Sequence, residues 1–151
     1  MIIVNLILTI LLFYKNDIED MFLDVFREKW YVPYIKNSYN LISNVEAGEI
    51  KFNYKCHQNS AHYAVTNNIK VVACLCIEND GFCYIHYINR DGDKYIDNTL
   101  GYYSGNVKYY LIEELDRENA INIGRHFTNL RNSIKSKIPF YYRIFIQNKH
   151  L

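Results

Sequence analysis

Three residues in this sequence have types and spacing that suit one chemistry, acyl transfer through a thiol: Cys56, His86 and Asp97. The thiolate attacks rather than the thiol, so a nucleophilic cysteine needs surroundings that stabilise the anion. A helix N-terminus does this through its free N–H groups and its dipole. Cys56 lies where a helix is expected to begin, in Lys55-Cys56-His57-Gln58-Asn59-Ser60. An imidazole must then share the thiol proton, and a third group must orient that imidazole through its other nitrogen. His86, in Ile85-His86-Tyr87, and Asp97, in Tyr95-Ile96-Asp97-Asn98-Thr99, fall on consecutive expected strands. Pairing across the turn Arg90-Asp91-Gly92-Asp93 sets them roughly opposite each other, within cross-strand reach if both face one side of the sheet. Each residue also has a plainer role open to it. Cys56 can be a small buried hydrophobe, although its polar neighbours make that less natural. His86 can be a strand histidine, and Asp97 a turn-flanking acid bonded to Thr99 or to backbone amides.

The elements that must position these groups are readable from pattern. Asn16-Asp17-Ile18-Glu19 has the form of a helix start. Ile18, Met21, Phe22, Val25, Phe26 and Trp30 then recur at helical spacing, and Pro33 is expected to end that helix. Residues 37–50 are polar and read as a loop. A short helix is expected from Cys56 to Asn67-Asn68. Two apolar runs, residues 69–77 and 82–88, flank Asn79-Asp80-Gly81, a strong hairpin signal. With residues 94–97 they make a three-stranded antiparallel meander. Residues 107–112 read as a further strand, 114–137 as helix, and 140–146 as a closing strand. The expected fold class is α+β, with N-terminal helices packed on an antiparallel sheet. The length, 151 residues, suits a single domain. Its parts are an N-terminal helical portion (1–35), a catalytic core (50–103) and a C-terminal helix and strand (114–151).

This arrangement resembles the papain-like and transglutaminase-like superfamily, over about residues 50–103. In that superfamily a Cys opens a helix packed on a sheet, and a His and then an Asp or Asn follow on adjacent strands. The stretch Asp91-Gly92-Asp93-Lys94-Tyr95-Ile96-Asp97-Asn98-Thr99 is similar to the strand that follows the His there. The resemblance implies a papain-like core and a cysteine-dependent hydrolase or acyl-transferase acting on an amide bond, with Cys56, His86 and Asp97 as its triad. It implies a protein or peptide substrate and no cofactor. The sequence departs from the pattern after the His, where Tyr87 stands in place of a common Trp. Upstream of the nucleophile, Asn53 and Tyr54 are the nearest candidates for an oxyanion donor, beside the backbone N–H of Cys56. His57, Asn59 and Tyr87 are candidate substrate contacts. A reading from another class is a non-catalytic binding module on the same scaffold, such as a viral modulator with a host-protein partner. The 15 tyrosines suit it, with Gly101-Tyr102-Tyr103 and Tyr109-Tyr110 as the places to look.

Other function classes find less support. The Cys/His-rich centre (Cys56, His57, His62, Cys74, Cys76, Cys83, His86) lacks the C-x2-C spacing of a structural zinc site, so no metal is expected. Cys74 and Cys76 lie two apart in a strand and read as core residues, and all four cysteines as reduced thiols of a cytoplasmic protein. No Gly-rich phosphate loop opens a helix. The balance of 17 basic and 16 acidic residues gives no electrostatic case for nucleic acid. The basic and aromatic residues of the tail, Arg125, Phe127, Arg131, Lys135, Lys137, Tyr141, Tyr142, Arg143 and Lys149, read first as a solvated helix face and strand packing. The apolar residues 1–14 are too short for an ordinary membrane span and carry no preceding Lys or Arg, so they are expected to pack into the core.

Overall fold

The computed structural model describes residues 19–51, 53 and 55–143. The apolar run over residues 1–14 and the helix start at residues 16–18 lie outside them, as does Tyr54.

The first helix, α1, covers residues 19–38 and does not stop at Pro33. Proline lacks an N–H and its ring clashes with the carbonyl four residues back in a regular α-helix. Here the helix widens into a π-turn over Arg27–Tyr31, with the N–H of Val32 bonded to the carbonyl of Arg27. Pro33 then falls in the first turn of the segment Val32–Ser38, where no N–H is needed. The apolar stripe of α1 buries Phe26, Tyr31 and Ile35 against the sheet.

Residues 37–50, expected to be a loop, contain two short strands, β1 (Asn40–Ile42) and β2 (Val45–Ala47). Three-residue strands carry too few positions for an alternation to stand out, and only tertiary pairing defines them. The helix α2 (Cys56–Asn67) follows and ends at Asn68 in the left-handed conformation. The meander forms as expected: β3 (Lys70–Glu78), β4 (Cys83–Asp91) and β5 (Lys94–Asp97). A 3-10 turn over Gly101–Asn106 leads into β6 (Val107–Leu115). The expected helix over 114–137 is shorter and broken, into α3 (Arg117–Ile121) and α4 (Ile123–Lys137).

The sheet order is β1-β6-β3-β4-β5-β2, antiparallel except for the parallel pair β2–β5. The two edge strands are consecutive in the chain, joined by residues 43–44, with Asn44 at φ 62° making the turn. Strands at opposite edges joined by two residues require the sheet to curl. Alternation then gives it two faces. Val71, Ala73, Leu75, Ile85 and Tyr87 meet the helices, while Val72, Cys74, Cys76, Ile88 and Tyr109 line the other face with Ile42. The expected strand at 140–146 is instead a helical turn, α5 (Phe140–Arg143), as far as the described residues go. Both sheet edges are already occupied by β1 and β2, and Tyr142 packs its ring against Phe22 and Phe26 of α1. The architecture is thus mixed helix and sheet, a curled, mostly antiparallel six-stranded sheet with its helices. Among the described residues no helix is long and apolar enough to cross a membrane.

Candidate active site

β5 pairs with β4 at Asn89, Arg90 and Asp91. Beside the preceding stretch of β4, α2 takes over. The Ser60 hydroxyl donates to the carbonyl of Tyr87 (2.6 Å), and the Asn89 side chain donates to the carbonyl of Ser60 (2.9 Å). This lays the first turn of α2 along β4, so that the Cys56 thiol meets the N–H of Tyr87 and the imidazole of His86. The first i→i−4 bond of α2 runs from the Asn59 N–H to the Lys55 carbonyl (2.9 Å). The N–H groups of Cys56, His57 and Gln58 precede it, at the positive end of the helix.

His86 and Asp97 share the sheet face opposite the helices. They are diagonal neighbours rather than opposite ones: the register sets Asn89 against Ile96, so Asp97 continues beside Ile88, two residues from His86. His86 Nε2 reaches Asp97 Oδ2 at 2.8 Å, which leaves Nδ1 for the thiol. Both side chains are buried, His86 at 2% exposure and Asp97 at 0%. A buried carboxylate must have its lone pairs satisfied, and Asp97 accepts four hydrogen bonds. The N–H groups of Thr99 and Leu100 donate to Oδ1 (both 2.8 Å), and the Tyr109 hydroxyl donates to Oδ2 (2.7 Å) beside His86. The sequence marks Tyr109 only as part of a tyrosine run for a binding surface; its bond to Asp97 depends on β6 pairing with β3, a contact that local pattern does not encode.

The electrostatics follow from these contacts. Burial pushes the Cys56 thiol up, but hydrogen bonds from His57 and His86, the charge of His86 and the Tyr87 N–H outweigh it and bring the thiol down to about 6. Burial works against the charged form of His86, yet the Asp97 and Cys56 bonds and charges hold its imidazole well above the ordinary histidine range. Burial likewise opposes ionisation of Asp97, and His86, the Leu100 N–H and Tyr109 hold it below the usual carboxylate value. Each shift favours the charged form, a thiolate beside an imidazolium backed by a carboxylate. The other thiols contrast with this: burial pushes Cys83 up to about 12 and Cys76 well above its ordinary value.

The remaining candidates separate. His57 joins the thiol and lies flat on Phe127 of α4, ring centroids 5.4 Å apart at 15°. Asn53 is held in place by its neighbours. Its amide exchanges two hydrogen bonds with that of Asn59 (3.1 and 3.0 Å), and its oxygen also accepts the Lys55 N–H. Asn59 is buried and donates to the Thr99 hydroxyl (3.1 Å), so it ties α2 to the turn that holds Asp97 instead of meeting a substrate. Tyr87 points its side chain to the helix-covered face, fully buried, with its hydroxyl bonded to His126 Nδ1 (2.9 Å), and is not a substrate contact. His126 Nε2 in turn pairs with Glu113 (3.0 Å). Of the tyrosine runs, Tyr109 and Tyr110 are buried, whereas Tyr102 (65% exposed) and Tyr103 face outward.

A thiolate held at a helix N-terminus beside a carboxylate-bound imidazole can attack an electrophilic carbonyl carbon, and the imidazolium can then protonate the leaving group. Among the described residues, no group of three or more His, Cys, Asp or Glu is arranged to hold a metal ion. Comparison of the chain with known protein families, curated proteins and solved structures finds no match.

Proposed function

We propose that this chain is a cysteine-dependent hydrolase or acyl-transferase acting on amide bonds of a protein or peptide substrate, with a core of the papain-like and transglutaminase-like kind. The observation that carries it is the placement of Cys56 at the start of α2, laid along β4 by Ser60 and Asn89, beside a buried His86 whose Nε2 bonds the buried Asp97 at 2.8 Å. In this scheme the Cys56 thiolate forms a C–S bond to the carbonyl carbon and the C=O electrons move to oxygen. When the C=O reforms, the C–N bond breaks and His86 Nδ1 gives its proton to the leaving nitrogen. Water or an acceptor amine, giving its proton back to His86, then resolves the thioester. Asp97 keeps the ring oriented and its charge compensated. Four free thiols, one of them acidified, suit a reducing compartment such as the cytoplasm.

The test is acyl transfer from p-nitrophenyl acetate at pH 6.5, read as a thioester at Cys56 by peptide mass spectrometry. The wild-type protein should acylate at Cys56 and then deacylate with turnover, and Cys56→Ser and His86→Ala should lose the reaction. A wild-type Cys56 that stays unmodified, or reacts no faster than in His86→Ala, contradicts the assignment. The exposed, stacked Tyr102–Tyr103 pair would then become the place to look for a binding partner.

A further inference from the structure

The oxyanion formed during acyl transfer needs donors. The Cys56 backbone N–H, at the open end of α2, supplies one. The side chain expected to supply another, Asn53, is tied to Asn59 and Lys55. His57 is differently placed. It lies beside the Cys56 sulfur and, with His86, favours the thiolate. Its ring is fixed between two aromatic surfaces, stacked on Phe127 and set edge-on to Tyr87, with centroids 6.4 Å apart at 66°. His57 is also half-buried, whereas His86 is enclosed and has Nε2 committed to Asp97. A substrate arriving from solvent therefore meets the imidazole of His57.

As the thiolate attacks, negative charge leaves the sulfur and collects on the carbonyl oxygen, two bonds away. A donor that holds the sulfur before attack is placed to follow that charge. We propose that the side chain of His57 is the second oxyanion donor of the site, its ring N–H turning from the Cys56 sulfur to the carbonyl oxygen of the substrate as the tetrahedral intermediate forms. No proton moves to or from His57 in this step. The sulfur lone pair makes the C–S bond, the C=O pair goes to oxygen, and the His57 N–H and Cys56 N–H donate to it. Collapse expels the leaving group as in the scheme above. Phe127 is a positioning residue, because it fixes the plane of the ring. The assignment rests on Cys56 being the nucleophile.

Two reactions of the same thiol separate the roles. Alkylation by iodoacetamide needs the thiolate and forms no oxyanion, while acylation by p-nitrophenyl acetate needs both. The quantity to measure is the ratio of the acylation rate to the alkylation rate at Cys56, at one pH, in wild type, His57→Phe and His57→Gln. His57→Phe keeps a flat ring on Phe127 and removes the donor, so the ratio should fall about 100-fold. His57→Gln keeps an N–H donor and should restore most of it. Cys74 and Cys76 staying unalkylated shows that the fold is intact. If His57→Phe exposes them, Phe127→Leu takes its place, with a smaller fall in the ratio expected. An unchanged ratio in whichever of the two variants stays folded, with wild-type Cys56 reactive, overturns the role of His57 and leaves Cys56 as nucleophile. If wild-type Cys56 reacts with neither reagent below pH 7, Cys56 is not an activated nucleophile and both assignments fall.

Discussion

Replacing Asp97 by Asn is the most informative single change, because the backbone around it dictates which way the amide must point. The N–H groups of Thr99 and Leu100 both donate to Oδ1 at 2.8 Å, so the acceptor end of an Asn is held there. Its NH2 then occupies the place of Oδ2, facing His86 Nε2 and the Tyr109 hydroxyl. An NH2 at that position donates to Nε2, which must be unprotonated, and the ring proton moves to Nδ1. That tautomer can neither take the Cys56 proton nor carry the charge that stabilises the thiolate. The thiol returns from about 6 towards an ordinary value of about 8.5. At pH 6 about half of the wild-type thiol is ionised, against about 0.3% of an ordinary one, a ratio of roughly 150. Intrinsic nucleophilicity falls with pKa, with a Brønsted slope of about 0.45, and offsets about 13-fold of that. Iodoacetamide should therefore alkylate wild-type Cys56 about tenfold faster than Asp97→Asn at pH 6, and the two rates should cross between about pH 7 and 8. Peptide mass spectrometry of timed samples reads both, with the buried Cys74 and Cys76 as internal standards for folding. Equal rates at pH 6, or a deficit of the same size at every pH, would refute the proton-placement argument.

Three further outcomes are expected. Because the folded pKa of Cys56 is depressed, its linked stability is fully present above the unfolded value of about 8.5 and is lost as pH falls through about 6. The deficit of Cys56→Ser relative to wild type should thus be about 1 kcal/mol larger at pH 7 than at pH 5, read from urea midpoints; an equal deficit at both contradicts the depressed pKa. Asn89→Ala removes three hydrogen bonds, buried ones to Ser60 and Asn98 and a partly buried one to Lys70, and should cost about 2–3 kcal/mol in urea unfolding. It should also slow Cys56 alkylation, because Asn89 is what fastens α2 along β4. A Cβ on Gly48 would lie 2.3 Å from Asn98 Oδ1 and 2.9 Å from the Asp97 carbonyl. Gly48→Ala should therefore lower the thermal midpoint and the pH 6 alkylation rate together, and a loss of stability alone would mean that the Asp97 turn absorbs the clash elsewhere.

The parts of the fold that were legible from sequence are those encoded locally. The start of α2 at Cys56 and the hairpin turn at Asp80-Gly81 carry their signals in neighbouring residues. So do His86 and Asp97, which lie on strands joined by a two-residue turn, although their diagonal offset depends on the exact register. What was not legible is non-local. β1 and β2 have three residues each and exist because β6 and β5 offer them edges. Pro33 ends a helix by local rules, and the π-turn that carries α1 past it is stabilised by burying Phe26, Tyr31 and Ile35 on either side. Residues 140–143 have strand-like composition but meet a sheet whose edges are taken. Within the site, Tyr109 reaches Asp97 from a strand that shares no local signal with it. Asn59 and Tyr87 have the right residue types for substrate work, but their side-chain polar atoms are spent on Asn53, Thr99 and His126.

The ionisation of Cys56 itself is the most direct test of the central claim. Thiolate absorbance in the ultraviolet, recorded across pH 4 to 10 for wild type and Cys56→Ser, isolates this one thiol in the difference. The thiolate–imidazolium pair predicts a midpoint near 6. A midpoint at about 8.5 or above would mean that burial prevails over His57 and His86, and that the site holds an ordinary thiol.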